Sequence, residues 1–326
     1  MKDFTDYLSK RRAQIELTIE NSMALIENSP LRDGVRYVLS LGGKRIRPLI
    51  AVLSAEAVGR LNDDVLYAAA AIEVLHNFTL VHDDIMDNSE TRRGKETVHV
   101  LFGQSVAILV GDIMMALAYD IMSGCSEDKL KSALRIFNKA VADVCNGQAL
   151  DENHSKVDGA TLARYEEMIC KKTGALLKAS GQLGALLGGG NEHQVEIFGK
   201  FGRNLGIAFQ ILDDILDIEG DQTKFGKPRG LDIVEKKKNY LYLKARELTE
   251  RKVFDLIDAI YSKSKVSSDD IAFVSRVYEE NGVIMAGHAE VENYTREAID
   301  ALSEIPESQA KEAIIELARL LVLRKF

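Results

Sequence analysis

Apolar residues recur at helical spacing along nearly the whole chain, and this periodicity limits the fold more than any other feature. The segments between the apolar runs are short and are polar or rich in glycine, as at Gly188 to Asn191. Only four of the 326 residues are proline, so few positions would break a helix. No run of alternating β-branched residues predicts a strand. The pattern therefore predicts an all-α protein.

About a dozen helices follow from the apolar spacing. They are predicted at residues 4–28, 31–41, 47–59, 63–87, 100–123, 127–151, 159–187, 193–219, 239–263, 268–281, 282–303 and 308–323. Several are apolar around much of their circumference, as expected when other helices surround them. No linker of low complexity divides the chain, so residues 1–326 are predicted to form a single domain. We expect a central bundle around a cavity, with shorter helices at its periphery.

The balance of charges excludes some partners. The formal net charge is −8, whereas a protein that binds a nucleic-acid duplex usually carries a basic surface, so we expect no nucleic acid. The most apolar window, 105–122, is interrupted by Asp112 and Asp120, which favours a buried helix over a membrane span. Three widely spaced cysteines without a CxxC motif indicate free thiols in a reducing compartment. The charged N-terminus lacks the apolar stretch of a signal peptide, which predicts a cytoplasmic protein with no stable membrane insertion.

Two clusters of aspartates carry the strongest functional signal. Residues 83–87 and 213–217 both read Asp-Asp-x-x-Asp, and each cluster follows an apolar helical run. Carboxylates four residues apart share one face of a helix, with Cβ atoms about 5–6 Å apart. Close carboxylates are costly unless water, a base or a cation compensates their charge. One such cluster could equally be a solvated helix end, but two that face each other predict a magnesium site, because Mg²⁺ typically binds one or two carboxylates plus substrate phosphates.

Basic residues lie near both clusters in sequence. Arg92 and Arg93 follow the first cluster, and Lys224 and Lys227 follow the second. A third group, Gly42 to Pro48, combines two glycines with one lysine and two arginines ahead of a helix. Glycine-rich backbone beside basic side chains is a common way to bind phosphate. Each group alone is more often a solvated loop, but together they predict two anionic ligands, one bound through metal and one through side chains.

This combination of charges fits one kind of chemistry. An allylic diphosphate ionises when metal ions and basic side chains stabilise the departing diphosphate, and it leaves a carbocation in an apolar pocket. A second substrate that contains an alkene can then attack the carbocation. The protein needs no nucleophile for this reaction, and the sequence offers no convincing Ser/His/Asp or Cys/His set.

Five motifs, in the order of the chain, closely resemble those of the trans-isoprenyl diphosphate synthases. They are Gly42 to Pro48, Leu80 to Asp87, Arg92 to Gly94, Lys172 with Thr173, and Phe209 to Asp217. The match extends from about Leu31 to Asn239, and the motifs are highly specific only when taken together. The resemblance implies an isoprenoid synthase-like fold, a homodimer, and about three Mg²⁺ ions per site, with Mn²⁺ as a possible substitute.

The resemblance also implies a role for each matching residue. The predicted metal ligands are Asp83, Asp87 and Asp213. The aspartates that support these ligands or act through water are Asp84, Asp214 and Asp217. Contacts to the allylic diphosphate are implied for Arg92, Lys172, Lys227 and Lys237. Contacts to isopentenyl diphosphate are implied for Lys44, Arg47, His76 and Arg93. Oxygen dipoles near the carbocation are implied for Thr173 and Gln210, and the released diphosphate would remove the final proton.

Some of these assignments leave an alternative open. His76 lies two helical turns before the first cluster on the same face, but it could also be a core histidine. In the lysine run 236–238 the family usually has Gly-Lys-x-Thr, and register favours Lys237. Gln148 and Asp151 match a position that lines the family's cavity, although a hydrogen bond within a helix would also explain them.

Product length is expected to depend on Phe78 and Thr79, which precede the first cluster by five and four residues. Ideal helix phase puts Thr79 nearer to the aspartate face, so the case for Phe78 as the floor of the pocket comes from the resemblance. A Phe followed by a small residue resembles archaeal-type short-chain synthases. It predicts geranylgeranyl diphosphate as the main product, with farnesyl diphosphate, or both, as the alternative.

Two other functions are less favoured. A terpene cyclase would share the helical architecture and the first cluster, but it usually has an Asn/Ser/Glu-type second motif and needs no isopentenyl site. A catalytically silent subunit of a heteromeric synthase would not be expected to keep both aspartate clusters intact. The sequence therefore favours an active prenyltransferase.

Overall fold

The computed structural model describes residues 2–27, 29–154, 159–220 and 229–323. These residues form sixteen α-helices and two strands of two residues each, so the all-α prediction is confirmed. The helices of the first half are α1 (Lys2–Ser22), α2 (Pro30–Ser40), α3 (Ile46–Val58), α4 (Asp63–Met86), α5 (Val98–Phe102), α6 (Gln104–Ser123) and α7 (Glu127–His154). The short strands β1 (Thr91–Arg92) and β2 (Lys95–Glu96) pair antiparallel between α4 and α5.

The second half of the chain has the same helical character. Its helices are α8 (Leu162–Ile169), α9 (Ala175–Gly188), α10 (Glu192–Glu219), α11 (Leu231–Val234), α12 (Tyr240–Leu248), α13 (Arg251–Tyr261), α14 (Ser268–Glu280), α15 (Val283–Ala301) and α16 (Gln309–Leu323). A π-helix, Cys170–Gly174, joins α8 to α9, and 3₁₀ turns occupy Met23–Leu25 and Leu302–Glu304.

Three predicted helices are interrupted in the structure. The helix expected at 100–123 breaks at Gly103, whose φ of +85° does not fit a right-handed helix. The helix expected at 159–187 contains the π-helix, and the helix expected at 239–263 breaks where Thr249 and Glu250 are extended. These three breaks, together with the unpredicted short helix α11, account for the sixteen described helices where twelve were predicted.

The helices that carry the aspartate clusters, α4 and α10, are long and well capped. The side chain of Asn62 accepts a hydrogen bond from the backbone N–H of Val65 at the start of α4. Asn191 and Gln194 form a reciprocal capping box at the start of α10. These caps fix the beginnings of the two helices.

The core consists of two apolar clusters, and α10 contributes to both. The first half of α10, including Phe198 and Phe201, packs into the cluster that also contains residues from α1 to α7, α9 and α16. The second half, including Ile211 and Ile215, packs with α8 and with residues from α11 to α15. The second aspartate cluster therefore lies on a helix that both apolar clusters stabilise.

Helix α6 differs from the buried helix that we predicted for residues 105–122. A row of its side chains is exposed, including Ile108 (42%) and Leu109 (51%), because no described element of this single chain covers that face. By length and composition alone, α4 and α6 could each cross a membrane, a property that core helices of soluble proteins share.

Candidate active site

The first aspartate cluster occupies the last turn of α4, and Asp87 is the C-cap of this helix. Burial raises the pKa of Asp83 to about 6; the positive charge of Lys172 opposes this rise and the negative charge of Asp87 adds to it. Desolvation also raises the pKa of Asp87, against the effect of Lys237 and Lys172. The first cluster therefore faces two lysines that lie far from it in sequence.

Asp84 is buried and points to a different partner from its neighbours. The Nε atom of Arg92 donates to both carboxylate oxygens of Asp84, at 2.9 and 2.8 Å, and the two side chains form an ion pair at 2.7 Å through Nη2 of Arg92. This bidentate geometry is strong and specific. It holds Arg92 at the edge of the first cluster, where we expected a contact to the allylic diphosphate.

In the second cluster, Asp214 is 4% exposed and accepts three hydrogen bonds. The hydroxyl of Tyr165 donates to its Oδ2 at 2.5 Å, the backbone N–H of Tyr240 donates to the same oxygen at 3.0 Å, and Nε2 of Gln210 donates to Oδ1 at 3.3 Å. The hydroxyl of Thr173 in turn donates to Oε1 of Gln210 at 2.8 Å. The predicted Thr173 and Gln210 dipoles are thus connected to the second cluster.

Asp217 positions the short helix α11. Its carboxylate accepts hydrogen bonds from the backbone N–H groups of Leu231, at 3.1 Å, and Asp232, at 3.2 Å. Burial and the nearby charge of Asp232 raise the pKa of Asp217 to about 7, and the same two causes raise the pKa of Asp214 to about 7. Asp232 is a further acidic residue of the site, and sequence reasoning missed it. Asp213 lies beside them on α10 and is partly exposed.

One cavity collects residues from five separate helical segments. It is lined by Asp151, Tyr165, Met168, Ile169, Lys172, Gln210, Asp214, Asp232, Lys237, Lys238 and Asn239. Nζ of Lys172 donates to Oδ2 of Asp151 at 2.5 Å. The side chain of Asp151 therefore lines the cavity rather than bonding within its own helix. Because the charge of Lys172 also acts on Asp83 and Asp87, the first cluster lies beside the cavity. The structure therefore brings both aspartate clusters to one site.

The π-helix presents Lys172 to this cavity and carries Thr173, which contacts the cavity residue Gln210. Such helices are rare and often occur at functional positions. Glycines allow neighbouring helices to approach it closely: a Cβ at Gly147 would lie 2.3 Å from the backbone N of Lys172, and a Cβ at Gly206 would lie 2.6 Å from Cα of Gly174. The close contacts from α7 and α10 fix the π-helix between them.

Two of the three lysines at 236–238 line the cavity, namely Lys237 and Lys238. Burial would lower the pKa of Lys237, but Asp232 and Glu235 reverse this effect and the net shift is upward, so this lysine stays protonated. Its Nζ lies 2.6 Å from Oε2 of Glu235. The predicted phosphate contact of Lys237 is compatible with this position. Lys227 lies outside the described residues.

A separate basic cluster forms beside α4. Nη1 of Arg47 donates to Nε2 of His76 at 3.1 Å, so His76 faces this cluster and is not an isolated core histidine. Burial and the charge of Arg47 lower the pKa of His76 well below 6.5, and burial lowers the pKa of Arg47 to about 10. Nη1 of Arg93 donates to the backbone carbonyl of Gly42, and the neighbouring Lys44 is exposed. The four predicted isopentenyl residues thus lie on one side of α4.

The side-chain amide of Gln148 on α7 is buried and makes no hydrogen bond to the described residues. The alternative of a side-chain hydrogen bond within the helix is therefore not observed. A buried amide without a partner is costly, which favours a ligand or water beside it.

Divalent cations fit this donor set when a phosphate completes it. Within the described ranges, no three His, Cys, Asp or Glu side chains are close enough to bind one ion by themselves. Burial and the charge of Asp87 nevertheless raise the pKa of Asp83 to about 6, although the charge of Lys172 opposes this rise. Hard cations such as Mg²⁺ and Ca²⁺ bind few protein carboxylates when phosphate and water supply the remaining ligands.

The comparisons with known proteins agree with this site. The polyprenyl synthetase family profile matches residues 28–278. The chain is 37% identical, over the full length of both proteins, to a short chain isoprenyl diphosphate synthase of Methanothermobacter thermautotrophicus. Its fold is similar to that of geranylgeranyl pyrophosphate synthetase from Pyrococcus horikoshii, with a TM-score of 0.92, 34% identity and 99% of each chain covered. A polyprenyl synthase from Caulobacter crescentus, crystallised with calcium and isoprenyl diphosphate, has a TM-score of 0.90 and 29% identity over 99% of this chain and 97% of that chain.

The helical bundle and the paired carboxylate clusters define an enzyme of the isoprenoid synthase fold that uses divalent metal ions. The chain belongs to the polyprenyl synthetase family, and it is a prenyltransferase. The family resemblance and the fold class that the sequence predicted are both confirmed.

Proposed function

We propose that this protein condenses isopentenyl diphosphate with allylic diphosphates and that geranylgeranyl diphosphate is its main product. One observation carries the proposal: the second aspartate cluster lines a cavity with Lys172, whose charge also acts on the first cluster, while Arg47 and His76 form a separate basic cluster two turns earlier along α4. This arrangement provides two separate anion sites, one suited to metal and one to side chains alone. Farnesyl diphosphate, or a mixture of the two products, is the alternative.

Magnesium is the proposed metal, with about three ions held between the two clusters and the allylic diphosphate. Asp83 and Asp87 would bind it from α4, and Asp213 would bind it from α10. When bound, it neutralises the charge that develops on the departing diphosphate. The remaining steps depend on groups that the chain itself supplies.

Lys172 and Lys237 would bind the allylic diphosphate, because both reach the cavity and both act on the charge of Asp87. Ionisation breaks the carbon–oxygen bond of this substrate. The alkene of the second substrate then forms the new carbon–carbon bond, and the released diphosphate accepts the proton that is lost. Met168 and Ile169 line the same cavity with apolar surface, which would keep water away from the carbocation.

The second substrate would bind at the basic cluster. Guanidinium groups match the oxygens of a diphosphate in geometry as well as charge. The low pKa of His76, caused by burial and by Arg47, keeps this imidazole neutral, so it positions Arg47 without adding charge. Arg93 lies over the loop at Gly43 and would close the site from the other side.

Release of diphosphate separates this proposal from a terpene cyclase. The purified protein would be mixed with Mg²⁺ and geranyl diphosphate, with isopentenyl diphosphate, or with both, and inorganic diphosphate would be measured. We expect release only with both substrates and none after EDTA is added. Release from geranyl diphosphate alone, at a rate that isopentenyl diphosphate does not change, would instead support a cyclase.

Product length is proposed to depend on Phe78. Its side chain is 6% exposed, and its ring meets that of His82 edge to face at a centroid distance of 4.8 Å. The hydroxyl of Thr79 donates to the backbone carbonyl of His76 at 2.8 Å, so it is occupied within α4. We expect Phe78→Ala to shift the products toward longer chains when they are separated by thin-layer chromatography. An unchanged product ladder would mean that Phe78 is not the floor of the pocket.

We also propose that the protein is a cytoplasmic homodimer and that residues 1–326 act as one domain. The exposed apolar row on α6 supports the homodimer, since a second copy of the same chain could cover it. The participation of α10 in both apolar clusters supports the single domain.

A further inference from the structure

A buried ion pair lies directly beneath the basic cluster. Arg45 is 6% exposed and Glu73 is 3% exposed, and Nη1 of Arg45 donates to Oε1 of Glu73 at 2.7 Å. Nδ2 of Asn77 donates to the same carboxylate oxygen at 3.1 Å and to the backbone carbonyl of Glu73 at 2.8 Å. Nη2 of Arg45 also donates to the carbonyl of Leu39 at 3.0 Å. The pair therefore joins the start of α3 to the middle of α4 and the end of α2.

The backbone of Arg45 explains why such an anchor is needed. Its φ is +53°, in the left-handed region that residues with a Cβ rarely adopt. It lies between Lys44 and Arg47, two residues of the proposed isopentenyl site. The side chain of Arg45 turns into the protein, so it is unavailable to a substrate in solution. A strained backbone persists only when surrounding contacts hold it, and Glu73 supplies the principal contact.

Glu73 also acts on the two other arginines of the cluster. Burial lowers the pKa of Arg47, and desolvation lowers the pKa of Arg93, while the charge of Glu73 opposes both shifts. One buried carboxylate thus faces three guanidinium groups. This leaves an excess of positive charge that suits a diphosphate, and it limits the repulsion among the arginines when no substrate is bound.

Further contacts hold the loop in the same shape. Arg93 donates to the carbonyl of Gly42 and lies so close to Gly43 that a Cβ there would be 3.0 Å from its Nη2 atom. Nη2 of Arg12 donates to the carbonyl of Lys44 at 3.1 Å. The loop is therefore ordered by arginine contacts on its outer side and by the Arg45–Glu73 pair on its inner side.

We infer that Glu73 is a positioning residue for the isopentenyl diphosphate site. It acts through Arg45, which fixes the strained loop so that Lys44, Arg47 and Arg93 converge on one diphosphate. This inference rests on the proposed function, because it takes the basic cluster to be the isopentenyl site. It assigns to Glu73 a role in substrate binding although its carboxylate touches no substrate.

Glu73→Gln distinguishes a positioning role from a purely electrostatic one, because the two roles predict opposite changes in the KM for isopentenyl diphosphate. If Glu73 acted only through its charge, its neutralisation would strengthen the attraction for diphosphate and lower the KM for isopentenyl diphosphate. If it positions the loop, the same KM rises, and we expect about a tenfold increase. The KM for the allylic substrate and kcat should stay within about twofold of the wild-type values, because the other site is untouched.

Glu73→Asp provides a second variant that keeps the buried charge but withdraws it by one methylene group. Positioning predicts a higher KM for isopentenyl diphosphate in this variant as well, whereas electrostatics alone predicts no change. This variant decides the question if Glu73→Gln leaves Arg45 unpaired and does not fold. Circular dichroism and thermal melting would establish that each variant is folded before its kinetics are measured.

Two controls separate failure of this inference from failure of the proposed site. Glu56→Gln removes a different Arg–Glu pair, that of Arg11 and Glu56, which joins α1 to α3. The two side chains are 17% and 14% exposed. This variant should leave both KM values unchanged. Arg47→Ala should raise the KM for isopentenyl diphosphate if the basic cluster binds that substrate. An effect of Arg47→Ala together with an unchanged or lower KM in the folded Glu73 variants would overturn the positioning role. No effect of Arg47→Ala would overturn the site assignment itself.

Discussion

Tyr165 shows how a single residue can organise a site that it was not expected to join. It lies on α8, and its hydroxyl donates to Asp214 on α10 at 2.5 Å. Asp214 accepts from Nε2 of Gln210, and Oε1 of Gln210 accepts from Thr173. These hydrogen bonds fix the orientation of the Gln210 amide, with its nitrogen toward Asp214 and its oxygen toward Thr173. The dipoles that the carbocation would meet therefore depend on Tyr165.

Tyr165→Phe should lower kcat by about tenfold, since a hydrogen bond to a charged group contributes roughly 1.5–3 kcal/mol. The KM values for both substrates should change by less than about twofold, because Tyr165→Phe removes no basic side chain that would bind a diphosphate. Steady-state kinetics would measure the effect. Tyr242→Phe is a matched control, because Tyr242 donates to Asp258 at 2.6 Å and lies outside the cavity lining. Equal losses in both variants would indicate a general structural effect.

The pKa of His76 predicts how stability depends on pH. Burial and Arg47 hold it well below 6.5 in the folded protein, so between that lowered pKa and 6.5 the unfolded chain binds a proton that the native protein does not. The free energy of unfolding therefore falls as the pH falls through this range. Thermal melting of the wild type and of His76→Gln at pH 7.5 and pH 5 should show the wild type losing more stability. An equal loss of stability in both proteins would contradict the lowered pKa of His76.

The sequence shows the paired aspartates and the basic residues near them, but it does not show the partners that folding brings to them. The aspartates of α4 and α10 repeat a spacing that is visible along the chain. Tyr165, Asp232 and Glu73 carry no such pattern, because each acts on a residue that folding alone brings near it. Tyr165 and Asp214 are 49 positions apart, and nothing in the sequence between them signals their hydrogen bond.

At the scale of helices, periodicity predicted where most elements lie but not where they are interrupted. Apolar spacing is similar in an α-helix and across the π-helix at Cys170–Gly174, so the interruption leaves no clear mark in the sequence. It forms because close contacts at Gly147 and Gly206 fix this segment. Gly103 could have indicated the break before α6, since glycine often occupies positions of positive φ.

Helix α6 allows a test of the proposed homodimer. Leu109 is 51% exposed on its apolar face, and a glutamate there should separate a dimer that buries this face, because a charge would lose its hydration. Size-exclusion chromatography with light scattering should show a dimer for the wild type and a monomer for Leu109→Glu. Leu256→Glu, at an equally exposed leucine (55%) on α13, should remain dimeric. A wild type that is monomeric would contradict the proposal.

At the scale of the whole molecule, folding brings together α4 and α10, two helices that are far apart in sequence. The first cluster lies at the end of α4 and the second lies near the end of α10, while Lys172 on the π-helix lines the cavity and acts on the charge of the first cluster. The basic cluster meets α4 at His76, on the same face as Asp83 but earlier along the helix, and it includes Arg47 at the start of α3. The fold thus brings an acidic cluster and a basic cluster to neighbouring positions along α4, as the proposed condensation of two diphosphates requires.

Product analysis tests this account most directly. The purified protein would be incubated with Mg²⁺, labelled isopentenyl diphosphate and, in turn, dimethylallyl, geranyl or farnesyl diphosphate, and the products would be identified after the diphosphate is removed. We expect elongation of the primers, with geranylgeranyl diphosphate as the main product and no product in the presence of EDTA. The absence of any elongated product with all three primers would contradict the central claim.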